Sequence, residues 1–78
     1  MPAEVTVTGK ITVATLDSAI DINDGASIGF LTDSPEAVII FASCKDGDIC
    51  KVTGTVKGAG TDAFFTHVSR ATIVSKSK

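Results

Sequence analysis

The stretch that decides the fold class is KDGDICKVTGTVK, residues 45–57. It opens on an Asp-Gly dipeptide within Lys45–Asp48, and Asp-Gly is among the strongest short-range signals for a turn between two strands. From Ile49 to Lys57, apolar side chains at positions 50, 52 and 56 alternate with Lys and Thr. Because successive side chains of a strand point to opposite faces, this pattern predicts a turn followed by a half-buried strand.

Alternation with a period of two recurs along the chain, and residues 37–42 form a continuous apolar run, as expected of a strand covered on both faces. No apolar stripe at the helical spacing i, i+3, i+4, i+7 stands out. Val, Ile and Thr supply 26 of the 78 residues, and such β-branched side chains suit a pleated surface better than a helix. The predicted strands are Glu4–Leu16, Ala26–Thr32, Ala37–Cys44, Ile49–Lys57 and Ala63–Ser75.

The connections between these strands contain turn-forming residues. Asp17–Gly25 is predicted as a loop. Asp33–Glu36 is predicted as a turn, with a single helical turn beginning after Ser34 as the alternative. Gly58–Asp62 is predicted as a flexible connection. Five strands joined by short connections in one domain, residues 1–78 with a frayed tail at 75–78, predict a small closed barrel, since closure removes exposed strand edges.

Residues 47–56, GDICKVTGTV, resemble the fourth strand of an oligonucleotide/oligosaccharide-binding (OB) fold, which commonly shows Gly-Asp followed by V-x-G-x-V. Val7–Ile11 is similar to the bent first strand of that fold, and Phe64–Ile73 corresponds to its closing strand. The resemblance implies an all-β, five-stranded, OB-like barrel. Many OB folds also place a helix between strands three and four, for which Cys44–Asp48 leaves no room, so an SH3-like small barrel is the alternative.

The resemblance implies a binding module that takes single-stranded nucleic acid, sugars or protein segments across strands two and three. On those predicted strands the outward residues include Leu31, Ile39 and Phe41. Phe41 is predicted to stack on a base. The rival interpretation is that these three side chains form an apolar face buried by a second copy or another protein.

A second surface of the predicted barrel is cationic. Lys10, Lys51, Lys57 and Arg70 all fall on outward positions, among threonines, and are the candidate phosphate contacts. The competing interpretation is an ordinary solvated barrel wall. The formal net charge of −2 makes any nucleic-acid binding weak and salt-sensitive.

Cys44 and Cys50 flank the Asp-Gly turn. A two-residue turn places them on opposite faces, whereas a three- or five-residue loop opposes them directly, close enough for a disulfide. Without an export signal, buried reduced thiols are the favoured interpretation, and a cross-strand disulfide is the alternative. Two cysteines and the single His67 do not complete a metal site, so neither metal nor cofactor is predicted.

Three classes of protein are excluded or disfavoured. The composition, 44% hydrophobic and 21% charged, excludes a disordered chain. The longest apolar run, Ala37–Ala42, is too short for a membrane span. His67 has no nucleophile motif near it, so we expect no enzyme. No secretory signal opens the chain, which predicts a cytoplasmic location unless a signal has been removed.

The sequence therefore predicts a non-enzymatic binding module with weak, sequence-tolerant affinity for single-stranded nucleic acid. The alternative is a homo-oligomeric structural or protein-interaction subunit. A third hypothesis is a small-ligand or sugar binder that uses the loops at Asp17–Gly25 and Gly58–Asp62.

Overall fold

The structure is a computed structural model that describes residues 4–22, 26–58 and 62–76. Within these residues, five strands and one helix follow one another. They are β1 (Glu4–Thr12), β2 (Asp17–Ile22), β3 (Ala26–Leu31), α1 (Pro35–Ser43), β4 (Ile49–Lys57) and β5 (Phe64–Ser75).

The five strands form one sheet that closes into a ring in the order β1-β2-β3-β5-β4. All neighbouring strands are antiparallel except β3 and β5, which are parallel. The predicted all-β fold class with five strands closing on themselves is therefore confirmed.

β1 serves two neighbours in this ring. It pairs with β4 over Glu4–Lys10 and with β2 over Lys10–Thr12, so Lys10 pairs with both. The strand passes from one partner to the other beside Gly9, where the sequence predicted a bend. A Cβ atom at Gly9 would lie 2.1 Å from the Asp21 carbonyl oxygen, so only glycine allows the strands to approach this closely.

The core is apolar and is shared by strands and helix. Its buried members are Ile11, Ile20, Ile28, Phe30, Ala37, Ile40, Cys44, Cys50, Val52, Phe65, Val68 and Ala71. The helix packs mainly against β5 and also against β3.

The prediction of a strand at Ala37–Cys44 is wrong, because this segment belongs to α1. Ser34 caps the helix by accepting a hydrogen bond from the Ala37 N–H at 3.2 Å, and Pro35 is the first helical residue. The helical turn considered as an alternative at this position is thus the start of a nine-residue helix. It occupies the position between β3 and β4 for which the predicted strands left no room.

The prediction of a loop at Asp17–Gly25 is also wrong over its first part, because Asp17–Ile22 forms β2. Ser18 and Ile20 point inward and are buried. The Ser18 hydroxyl shares a hydrogen bond with the Thr32 hydroxyl at 2.9 Å, which satisfies this polar group inside the ring. The first strand accordingly ends at Thr12 rather than at Leu16.

The predicted turn at Lys45–Asp48 is present, with Gly47 at a φ of 90°. It joins α1 to β4 and is not a hairpin between two strands. The predicted small-ligand loops and the predicted frayed tail include residues 23–25, 59–61 and 77–78, which lie outside the described residues.

Two glycines on strands provide a matched test of the packing. A Cβ atom at Gly54 would lie 2.3 Å from the His67 carbonyl oxygen, whereas one at Gly29 would meet nothing closer than 3.8 Å. Gly54→Ala is expected to lower the free energy of unfolding by about 1–3 kcal/mol, because the β4–β5 backbones would have to separate. Gly29→Ala is expected to leave it unchanged or raise it by up to about 1 kcal/mol.

Urea unfolding followed by circular dichroism measures both free energies. Both substitutions change the entropy of the unfolded chain alike, so the difference between them reports the folded state. Equal effects of the two substitutions would contradict this strand register.

Candidate functional site

The candidate site is a polar depression on the outer face of β1, β4 and β5, with a volume of about 350 Å³. We call it the cationic face and define it by the residues that line it: Thr6, Lys51, Thr53, Arg70 and Thr72.

Strand register arranges these side chains in two rows. Thr53 on β4 lies between Thr6 on β1 and Arg70 on β5. In the next row Lys51 lies between Thr8 and Thr72. Alternation along β4 sends the side chains at 50 and 52 into the core, so the Lys and Thr between them point outward.

Lys51 and Arg70 are diagonal neighbours across the β4–β5 ladder, a relation that places such residues about 7–8 Å apart. Among the described residues neither side chain makes a hydrogen bond or an ion pair, so both charges remain available to a ligand. The Thr6 and Thr53 hydroxyls lie 2.9 Å apart and share a hydrogen bond. The face therefore presents two cations beside hydroxyl groups that can donate or accept hydrogen bonds.

The acidic residue nearest this face along β1 is Glu4. Its carboxylate accepts a hydrogen bond from the Ser69 hydroxyl, which directs it toward β5 at the end of the face. Its pairing position is opposite Thr55, beyond the two rows described above.

The other two predicted cations lie at the margins. Lys10 is exposed and follows Thr8 on the outward side of β1, at the pairing position of Asp21 on β2. Lys57 is exposed at the far end of β4, opposite Phe64, and does not line the depression. The structure thus brings Lys51 and Arg70 together, places Lys10 at the edge, and leaves Lys57 apart.

The outer face of β2 and β3 has the opposite character. Its outward residues are Asp17, Ala19, Asp21, Ser27, Gly29 and Leu31. This is the face that the OB resemblance nominates for ligand binding, and it carries two carboxylates with no Lys or Arg. The predicted second and third strands, Ala26–Thr32 and Ala37–Cys44, were the wrong segments for this face. The second strand is Asp17–Ile22 and the third is Ala26–Leu31.

The predicted common face of Leu31, Ile39 and Phe41 is wrong, because Ile39 and Phe41 lie on α1. Residues two apart on a helix do not share a side. Phe41 is half-buried and its ring packs on that of Phe30, with centroids 5.7 Å apart. Leu31 is 57% exposed and Ile39 37% exposed. Any part that these residues take in binding stays a prediction.

Cys44 and Cys50 form a disulfide in the structure, and both are fully buried. The expectation of reduced thiols is therefore corrected, and so is the geometry of the alternative. Cys44 caps the C-terminal end of α1 and Cys50 is the second residue of β4, so the bond joins helix to strand and does not cross a hairpin.

The described residues contain no group of three or more His, Cys, Asp or Glu side chains that could hold a metal ion. His67 is exposed on β5, opposite Thr55. Within the same residues the single helix has nine residues, too few to cross a membrane. Comparisons of the chain with family models, with curated proteins and with solved structures found no significant match.

The disulfide between Cys44 and Cys50 is expected to stabilise the fold. It closes a loop of seven residues, with a sequence separation of 6. Loop-closure entropy for this length corresponds to about 2 kcal/mol of stabilisation through the unfolded chain. Reduction should therefore lower the free energy of unfolding by about that amount, as measured by urea unfolding with and without a phosphine reductant.

The matched control is Cys44→Ala/Cys50→Ala, which should show the lowered stability in both conditions. A wild-type chain that is insensitive to the reductant while its thiols become titratable would contradict the prediction.

Proposed function

We propose that this chain is a non-enzymatic binding module of the OB type that binds single-stranded nucleic acid weakly and without sequence preference. Two features of the ring support the OB type. α1 lies between β3 and β4, and β1 is the neighbour of β4. Both are arrangements expected of an OB barrel, and they favour it over the SH3-like alternative.

The single observation that carries the proposal is that the Lys51 and Arg70 side chains, beside the hydroxyls of the cationic face, have no partner among the residues that the structure describes. Phosphate oxygens accept hydrogen bonds from ammonium, guanidinium and hydroxyl groups, and contacts to charged groups are the stronger ones. A track of phosphates running along β4 would meet Lys51 and Arg70, and Lys10 lies at its margin. The face is therefore suited to a backbone of regularly spaced anions.

We expect no selectivity among bases, because of the side chains that line the cationic face. The cationic face is lined by threonine, lysine and arginine, none of which offers an aromatic ring on which a base could stack. Phe41, the residue predicted to stack, packs against Phe30 instead. Affinity then comes from phosphate contacts alone, which position a nucleic acid but do not read its sequence.

The distribution of charge supports an approach from one side. The outward carboxylates Asp17 and Asp21 lie on β2, and β2 is not adjacent to β4 in the ring. A polyanion is thus repelled by one side of the molecule and attracted by the other, even though the formal net charge is −2.

The alternative function predicted from the sequence, a homo-oligomeric or protein-interaction subunit, stays a prediction, but Leu31 does not share one face with Ile39 and Phe41, which lie on α1. Leu31 is exposed at the end of β3. The predicted cytoplasmic location is also weakened, because disulfides such as Cys44–Cys50 form and persist mainly in oxidising compartments.

A fluorescein-labelled oligothymidylate tests the proposal by fluorescence anisotropy. If about three phosphates are contacted, the dissociation constant should rise about 20-fold between 50 and 200 mM salt. Lys51→Gln/Arg70→Gln removes two of these contacts, so this variant should bind more weakly and its salt dependence should fall to about threefold over the same range.

The matched control is Lys45→Gln/Lys76→Gln. It makes the same change in net charge at two cations that line a different depression, with Ser43 and Asp48. It should bind nearly as the wild type does. Absence of saturation at low salt, or equal weakening by the two double variants, would exclude a phosphate site on the cationic face.

A further inference from the structure

The strand ring is weakly joined at one seam. β3 and β5 share a single registered pair, Gly29 with Phe64, and the Gly29 N–H donates to the Ala63 carbonyl at 2.9 Å. By comparison, β2 pairs with β3 over six positions. Past this one pair, the described residues show no further pairing of β3 with β5, and the Leu31 carbonyl at the end of β3 accepts hydrogen bonds from the Ser34 N–H and from the Ser34 hydroxyl.

A cleft of about 460 Å³ lies along this seam. Its floor is formed by Phe30 and Phe65, which are buried. Its walls are formed by Leu31 and Phe64, which are 57% and 46% exposed. The volume is within the range of about 300–1,000 Å³ that is typical of ligand pockets, and the lining is mainly apolar.

Gly29 keeps this cleft open without being required by the fold. A Cβ atom there would stand 3.8 Å from its nearest neighbours, an ordinary contact. At Gly54, in contrast, a Cβ atom would collide with backbone. Glycine in the interior of a strand is normally unfavourable, so its presence at a site that can hold a larger residue is explained by the space that it leaves beside Phe64.

Two carboxylates stand at the cleft. Asp17 comes from β2, at the pairing position of Leu31, and Glu36 comes from the first turn of α1. Among the described residues neither makes a hydrogen bond or an ion pair. An apolar cleft with two free carboxylates is complementary to a large apolar side chain that has basic residues next to it.

We propose that this cleft binds an extended peptide segment of another protein, which inserts a large apolar side chain between Leu31 and Phe64. Lysine or arginine residues that flank the inserted side chain pair with Asp17 and Glu36. This site is separate from the cationic face, because no residue that lines the cleft also lines the cationic face.

Heteronuclear NMR of the 15N-labelled chain tests the proposal with the acetylated peptide GKVFVKG as the probe. Saturable shifts are expected at the amides of Gly29, Leu31 and Phe64, with a dissociation constant of about 1 mM or below. The charge-reversed peptide GEVFVEG should bind at least about fivefold more weakly, since it loses two exposed ion pairs. The peptide GKVSVKG, which lacks the aromatic ring, should give no saturable shifts.

Variants of the chain separate the cleft from the rest of the surface. Gly29→Val places a side chain in the cleft beside Phe64 and should abolish binding while the circular-dichroism spectrum and thermal unfolding stay close to those of the wild type. Asp17→Asn/Glu36→Gln should make the GKVFVKG and GEVFVEG peptides bind equally. If Gly29→Val does not fold, Leu31→Ser, at an exposed position, takes its place.

Three results would overturn the proposal. The first is the absence of saturable shifts when the concentration of GKVFVKG is raised to several times the expected dissociation constant. The second is a folded Gly29→Val chain that binds the peptide as the wild type does. The third is concentration-dependent shifts at these same amides without any peptide, which would make a second copy of the chain the occupant. None of these results bears on oligonucleotide binding, so the two proposals fail independently.

Discussion

One packing interaction supports the rest of this structure, namely the burial of the inner side of α1 in the same core as the strands. Ala37 and Ile40 of the helix are as fully buried as Ile11, Ile20 and Val52 of the ring. A ring of five short strands encloses a small core, so each buried side chain contributes a large share of the total apolar burial. The disulfide between Cys44 and Cys50 fixes the end of the helix to β4 and so holds this arrangement together.

Two surfaces of different chemistry follow from this arrangement. Because β4 lies between β1 and β5, the threonines and cations of three strands meet on one side of the ring. β3 reaches β5 only through Gly29 and Phe64, and the apolar cleft lies where that pairing ends. Its carboxylates and the cations of the opposite side make the molecule electrostatically asymmetric, a property that the net charge alone does not reveal.

Most of the strands could be predicted from the sequence because their inward positions are apolar and their outward positions are polar. Each end of β3, β4 and β5 lies within one residue of its predicted position. The cations of the cationic face could be predicted too, because alternation along β4 fixes the side to which Lys51 points. The closeness of Lys51 to Arg70 could not be predicted, because it depends on the register of β4 against β5. That register contains shifts that no sequence pattern marks.

The two elements that were missed have local causes. The buried residues Ala37 and Ile40 of α1, the half-buried Phe41 and the C-cap Cys44 do follow the helical spacing. Val38 and Ile39 are apolar as well, although Val38 is 69% exposed. The segment therefore reads as a continuous apolar run, which short helices and buried strands share. In β2 an inward serine, Ser18, interrupts the apolar alternation, and its hydrogen bond to Thr32 was not visible in the sequence.

The most direct test of this account is the backbone conformation of residues 35–43, measured by 13Cα chemical shifts and sequential nuclear Overhauser effects. A helix that begins at the Ser34 cap gives positive secondary shifts throughout Pro35–Ser43 and contacts between residues three apart, and this is the result we expect. Negative secondary shifts with strong sequential contacts, as in a strand, would contradict it. The ring order, the cationic face and the seam cleft described above would then all be wrong.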